Sequence, residues 1–204
     1  MEARNPYAAP NAPVVSADEP TRLPTDPENF EYGGFWRRVG AQLLDGIILI
    51  PMILLLYFLI YKTSRAYLYY ALPSLAVQFF YYVYLVRRFG GTPGKRITSM
   101  RITMTDGAPV TMKAAVVRYL PYLVLQALTM LATVIATSAP VDGYDAMSFI
   151  EKMQRPQRYM PGWGMVVAWI TYAWILVEAI TLVANQRKRA AHDFIAGTVV
   201  LRTD

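Results

Sequence analysis

Four stretches of this chain are almost purely apolar, and each is long enough to cross a lipid bilayer. They cover roughly residues 39–61, 66–86, 114–136 and 162–184. About twenty helical residues at ~1.5 Å each span a hydrocarbon core of ~30 Å. A soluble bundle would need a polar face on each of these helices, and they lack one. Nor is there enough charge to wrap them. Charged residues make up 17% of the 204 residues and hydrophobic ones 55%, whereas a soluble domain carries about 25% charge. The fold expected is an all-α membrane protein with four transmembrane helices. Pro51, Pro73 and Pro121 fall inside three of the stretches. Neighbouring helices can satisfy the carbonyls that these prolines free.

Residues 1–31 have another composition. Pro6, Pro10, Pro13, Pro20, Pro24 and Pro27 alternate there with Ala, Asn, Ser and acids. Such a segment buries too little to offset its ordering entropy, so a disordered cytoplasmic tail is expected. It has no apolar core resembling a signal peptide. Residues 32–204 form the membrane domain.

Several chemistries are closed to this chain. With no cysteine and one histidine, His192, disulfides, thiolate zinc sites, cysteine nucleophiles and multi-histidine metal sites are excluded. The run from Phe89 to Arg96 looks superficially like a phosphate-binding loop. It has Phe89 in place of the first glycine and Arg96 in place of the magnesium-binding hydroxyl. Pro93-Gly94 then reads as a turn, with Lys95 free for lipid headgroups. No serine, histidine and acid are placed for hydrolysis. A membrane protein that is not an enzyme, without cofactor or metal, is expected.

The net charge of +6 is unevenly distributed. Eleven basic residues fall on one side: Arg37, Arg38, Arg87, Arg88, Lys95, Arg96, Arg101, Lys113, Arg187, Lys188 and Arg189. Five fall on the other: Lys62, Arg65, Lys152, Arg155 and Arg158. The positive-inside rule places both termini and the middle loop in the cytoplasm of a multi-pass inner (plasma) membrane protein. Anionic headgroups account for the basic balance, and nucleic acid is not needed as a partner. Two short pieces have strand character. Met100, Ile102 and Met104 alternate with polar residues ahead of the turn-forming Asp106-Gly107, and Thr198-Val199-Val200-Leu201 is β-prone. They are expected to pair as a small cytoplasmic β-strand cap. Gly164 and Ala168 form a small-xxx-small pair suited to helix contact.

Three ionisable residues lie inside the apolar stretches: Asp45, Arg118 and Glu178. Counted from the segment ends, each sits ~6–9 Å below the cytoplasmic boundary, on three different helices. Charges in a membrane seek one another, so Arg118 is expected between Asp45 and Glu178. Arg38, Gln42 and Asp45 are spaced i, i+4, i+7 and should form a polar stripe. Asp193 can pair with Arg38 or Arg118. Two readings stay open: a carboxylate that takes up a proton or cation, or a static ion-pair cluster that sets helix register.

At these residues the chain resembles the RDD family of small membrane proteins, named for one arginine and two aspartates. The first block runs from Gly34 to Asp45, with Arg38 and Asp45 at the motif's arginine and first aspartate. The middle block has Gly91-Thr92-Pro93-Gly94-Lys95, Asp106-Gly107-Ala108-Pro109 and Arg118-Tyr119-Leu120. The last runs from Lys188 to Val200, with Asp193 as the second aspartate. The resemblance covers roughly residues 32–202 and leaves out Glu178 and the loop from Ala139 to Pro161. It implies two uses, sodium–proton antiport or membrane assembly. The leading expectation is a small ion or solute transporter, such as a monovalent cation–proton antiporter, working as an oligomer. Asp45 would exchange, Arg118 would switch it, and Arg38 and Asp193 would form a gate. The alternative is a non-transporting scaffold or assembly factor with a protein partner.

Overall fold

The computed structural model describes residues 30–139 and 141–203, so most of the proline-rich segment lies outside the described residues. The chain is mostly helical. Helix α1 (Phe35–Ile48) and α2 (Ile50–Lys62) carry the first apolar stretch and meet at a 46° bend. Pro51 stands one residue into α2. It has no amide hydrogen, and its ring crowds the carbonyl four residues back, which favours a bend at this point. The first expected span is thus a pair of helices bent at this point. Pro73 and Pro121, by contrast, lie within continuous helices.

The second apolar stretch is α3 (Ala66–Phe79), a π-helical turn (Phe80–Tyr84) and α4 (Leu85–Phe89). Gly90 ends it at φ +71°, a left-handed stop that glycine adopts without strain. A five-residue helix α5 (Pro93–Ile97) and strand β1 (Met100–Met104) follow. Next comes α6 (Met112–Ser138), whose Thr111 cap accepts from the Ala114 amide at 3.1 Å. Beyond it lie a 3₁₀ turn (Tyr144–Ala146), α7 (Phe149–Arg158), α8 (Gly162–Ala184), α9 (Ala191–Ala196) and β2 (Thr198–Arg202).

Helices α6 and α8 are each long and apolar enough to cross a membrane, and the bent α1–α2 pair makes a third candidate. Four separate crossings are not established, because the π turn divides the second stretch into shorter helices. Leu72, Trp169 and Ile180 are 78%, 73% and 64% exposed, a cost in water and none against lipid. Gly164 packs tightly on α6: a Cβ there would come 2.8 Å from the Ala132 Cβ.

Strands β1 and β2 pair antiparallel, from Met100 opposite Arg202 to Met104 opposite Thr198. The expected cap is therefore present. It extends to Phe30 and Tyr32, which pack on Val199 and Leu201. Ala41, Val83, Val86, Met100, Ile102, Ala115 and Val200 form the main core. That core welds the cap to one end of the helices, where the charged residues also gather.

Candidate functional site

Asp193 is fully buried at the start of α9. The Ala190 amide donates to its Oδ2 at 3.1 Å. Arg38 Nη1 reaches the same oxygen at 2.7 Å. Arg118 Nη1 pairs with Oδ1, and the Thr198 hydroxyl donates to that oxygen at 3.1 Å. Arg118 also donates to the Thr198 oxygen at 2.7 Å. Arg38 adds bonds to the Gly33 and Lys188 carbonyls, and Arg189 donates to the Asp193 carbonyl at 3.0 Å. One carboxylate thus joins α1, α6, α9 and β2. Burial alone would raise its pKa, but Arg118, His192 and Arg38 together hold it well below the usual carboxylate range.

Glu178 of α8 extends this network. Its Oε1 accepts from the His192 amide at 3.0 Å, and its Oε2 lies 2.5 Å from His192 Nδ1. The other ring nitrogen, Nε2, is 3.7 Å from Asp193 Oδ1. The ring edge meets Tyr122 at 5.8 Å between centroids. Burial and the nearby Arg118 push the imidazole pKa down, against the pull of Asp193 and Glu178.

Asp45 is equally buried, at 1% exposure, yet its surroundings differ. Tyr81 OH donates to Oδ1 at 2.7 Å, the Gly94 amide to Oδ1 at 2.7 Å, and the Thr92 hydroxyl to Oδ2 at 2.6 Å. All three donors are neutral. Among the described residues no arginine, lysine or histidine lies within ion-pair distance of it. The π turn, which adds a residue to the helical repeat, carries buried Tyr81. Thr92 and Gly94 come from the entry to α5, which packs on α1. A Cβ at Gly94 would stand 2.6 Å from Asp45 Oδ1 and would overlap the Ala41 carbonyl, so only glycine permits this approach.

Lys95 is close enough to feel both carboxylates. It is half-buried and within electrostatic range of Asp45, Asp193, Arg118 and Arg38. Among the described residues its ammonium has no hydrogen bond or ion pair. Burial and then Arg118 pull its pKa down to about 8.

The five expected residues do gather at one end of the molecule, with different partners than expected. Arg118 does not stand between Asp45 and Glu178. It binds Asp193, because α9 folds back onto α6 and delivers that carboxylate at closer range. The polar stripe on α1 also changes: Gln42 is exposed, while Arg38, Ala41 and Asp45 form the buried face. Lys95 faces the charged cluster instead of lipid headgroups. Tyr81, Thr92 and Gly94 gave no charge signal in the sequence. Among the described residues no group of three or more His, Cys, Asp or Glu could hold a metal ion.

The RDD family profile matches residues 32–197. A protein of Bacillus subtilis (strain 168) named "Uncharacterized protein YckC" is 29% identical over 177 residues, covering 84% of this chain and 85% of that one. No solved structure matches.

Proposed function

The chain belongs to the RDD family of membrane proteins, and from that premise we propose that it is a small transporter exchanging a monovalent cation for a proton, with Asp45 as the exchangeable carboxylate. One observation carries this reading. Asp45 is a fully buried acid held by three neutral donors and by no cation. A buried charge without a counter-ion is costly, so the site favours either a proton or a small cation at the carboxylate. Lys95 supplies the coupling. Its proton is weakly held, and it can be released when a cation neutralises Asp45. Lys95 thereby takes the role first expected of Arg118. Arg38, Arg118 and Asp193 hold the framework, with Glu178 tied in through His192.

The proposed topology has four crossings in the plasma membrane, with both termini and the strand cap cytoplasmic. Anionic lipid surrounds it, and alternating access in so small a bundle is provided by a homo-oligomer. No enzymatic step belongs to this reading.

Proton flux in proteoliposomes tests it. Purified protein facing an internal pH dye would be challenged with sodium, lithium and potassium gradients. Cation-driven dye recovery is expected, lost in Asp45→Asn and slowed in Lys95→Met. Silence from folded wild type in both orientations would sink monovalent cation–proton exchange. The scaffold reading would then stand, and it too has a specific support: Asp193 is saturated by two guanidinium groups, a hydroxyl and an amide, as a register lock would be. Reporter fusions after residue 145 and at the C-terminus test the topology. Opposite sides are expected, and the same side for both would overturn it.

A further inference from the structure

At the far end of α2, about 25 Å of helix from Asp45, lies a second concentration of charge. Helix α7 is held there by a capping box between Ser148 and Glu151. Lys152 and Arg155 of this helix are only 5% and 3% exposed. Lys152 Nζ makes one long hydrogen bond, 3.3 Å to the Tyr61 carbonyl, and sits 4.7 Å from the centre of the Tyr144 ring. Arg155 donates to the Ser64 and Ala139 carbonyls, while its Nε has no partner.

A cleft opens beside these cations, lined by Tyr61, Lys62, Asp145, Met147, Phe149 and Lys152. Lys62 Nζ stands 5.3 Å from the centre of the Tyr61 ring. No carboxylate lies within ion-pair distance of Lys62, Lys152 or Arg155 among the described residues. Glu151 is already engaged with Ser148. Asp145 lines the cleft without closing on either lysine.

An ammonium carries three donors. Lys152 uses one, and it is buried where an unmet charge is expensive. Aromatic rings partly shield it, but they cannot accept a full charge. We infer that this cleft binds a phosphate group, taken between Lys62 and Lys152, with the tyrosine and phenylalanine walls flanking whatever the phosphate is attached to. Lys62 is exposed and recruits the anion. Lys152 is set deep and fixes its position. Two lysines against one carboxylate leave the cleft one positive charge in excess, which suits a phosphodiester with its single negative charge. Such a group reaches the cleft either as a phospholipid headgroup at the membrane surface or as a free phosphate compound.

The full-length protein in neutral detergent provides the test. Thermal melting would be followed against short-chain phosphatidylglycerol, short-chain phosphatidylcholine and inorganic phosphate, for wild type, Lys62→Gln and Lys113→Gln. Lys62 is exposed, so its variant should fold. Stabilisation by phosphatidylglycerol is expected, with at least a fivefold loss of apparent affinity in Lys62→Gln and none in Lys113→Gln. The same pattern with inorganic phosphate would identify free phosphate as the source. Stabilisation by the lipid alone would identify the headgroup. No stabilisation by either, or stabilisation that Lys62→Gln leaves unchanged, overturns the site.

Discussion

Two aspartates at the same end of this molecule are buried to the same degree and held in opposite ways. Asp193 is neutralised by Arg38 and Arg118 and binds four elements into one unit. Asp45 receives only a tyrosine, a threonine and a backbone amide. Burial alone therefore says little about the role of an acid. The partners decide it. A carboxylate saturated by two guanidinium groups has no capacity left for a transported ion. One held by neutral dipoles has no charged group already bound to it.

The largest effect should come from breaking the saturated site. Asp193→Ala leaves two buried guanidinium groups unpaired, a loss of about 3–5 kcal/mol. Little folded protein should survive extraction, as read by size-exclusion yield and melting. An Arg118→Ala, Asp193→Ala pair should cost less than the sum of the singles, because the first change already strands the partner. Full additivity would mean that the two side chains do not act together.

Overpacking the neutral cage comes next. Gly94→Ala drives a methyl into Asp45 and the Ala41 carbonyl, and about 1–3 kcal/mol of destabilisation follows. If Gly94→Ala melts like wild type, α5 does not approach α1 this closely. Removing single donors is milder. Tyr81→Phe and Thr92→Val should each lose about 1–2 kcal/mol, and each should alter flux more than Thr198→Val does. Equal effects would erase the distinction between the two aspartates.

The smallest effect is a pH dependence. Lys95 holds its proton less tightly when folded, at about 8 against an ordinary 10.5. Between those values the unfolded chain binds more protons, so stability from this residue rises with pH across that window. Wild type should gain stability relative to Lys95→Met between pH 8 and 10. A parallel pair of curves would place Lys95 in water. Asp193 has the same sign in a lower window: its contribution is present above the ordinary carboxylate pKa of 3.8 and is lost as the solution becomes more acid.

Much of the frame could be read from residue order. The apolar stretches forecast helices where helices stand, and the strand cap pairs as its alternation implied. The sequence shows the proline at 51 but not the bend beside it, because how neighbours satisfy the freed carbonyls is not a local property. The amphipathic α7 was hidden in a loop that drew no expectation, although Ser148-x-x-Glu151 is a readable capping box. The charged residues gather at one end as expected but pair differently, with Arg118 on Asp193 and not between Asp45 and Glu178. Depth along a helix follows from a fixed rise per residue, so Asp45, Arg118 and Glu178 could be placed at one end. Which of them touch depends on rotation and on where α9 returns.

By itself, then, the sequence determined what the chain could be made of. Twenty-residue apolar runs with almost no charge must become helices facing lipid, because backbone groups there have no other partner. The few charges left in those runs must find company inside. Only the tertiary structure decided which company. Two guanidinium groups converge on Asp193 because α9 folds onto α6, and Asp45 is left to neutral donors because a π turn and a glycine approach it first. Those choices depend on contacts between residues 36 to 155 positions apart, and local pattern carries no information over such separations.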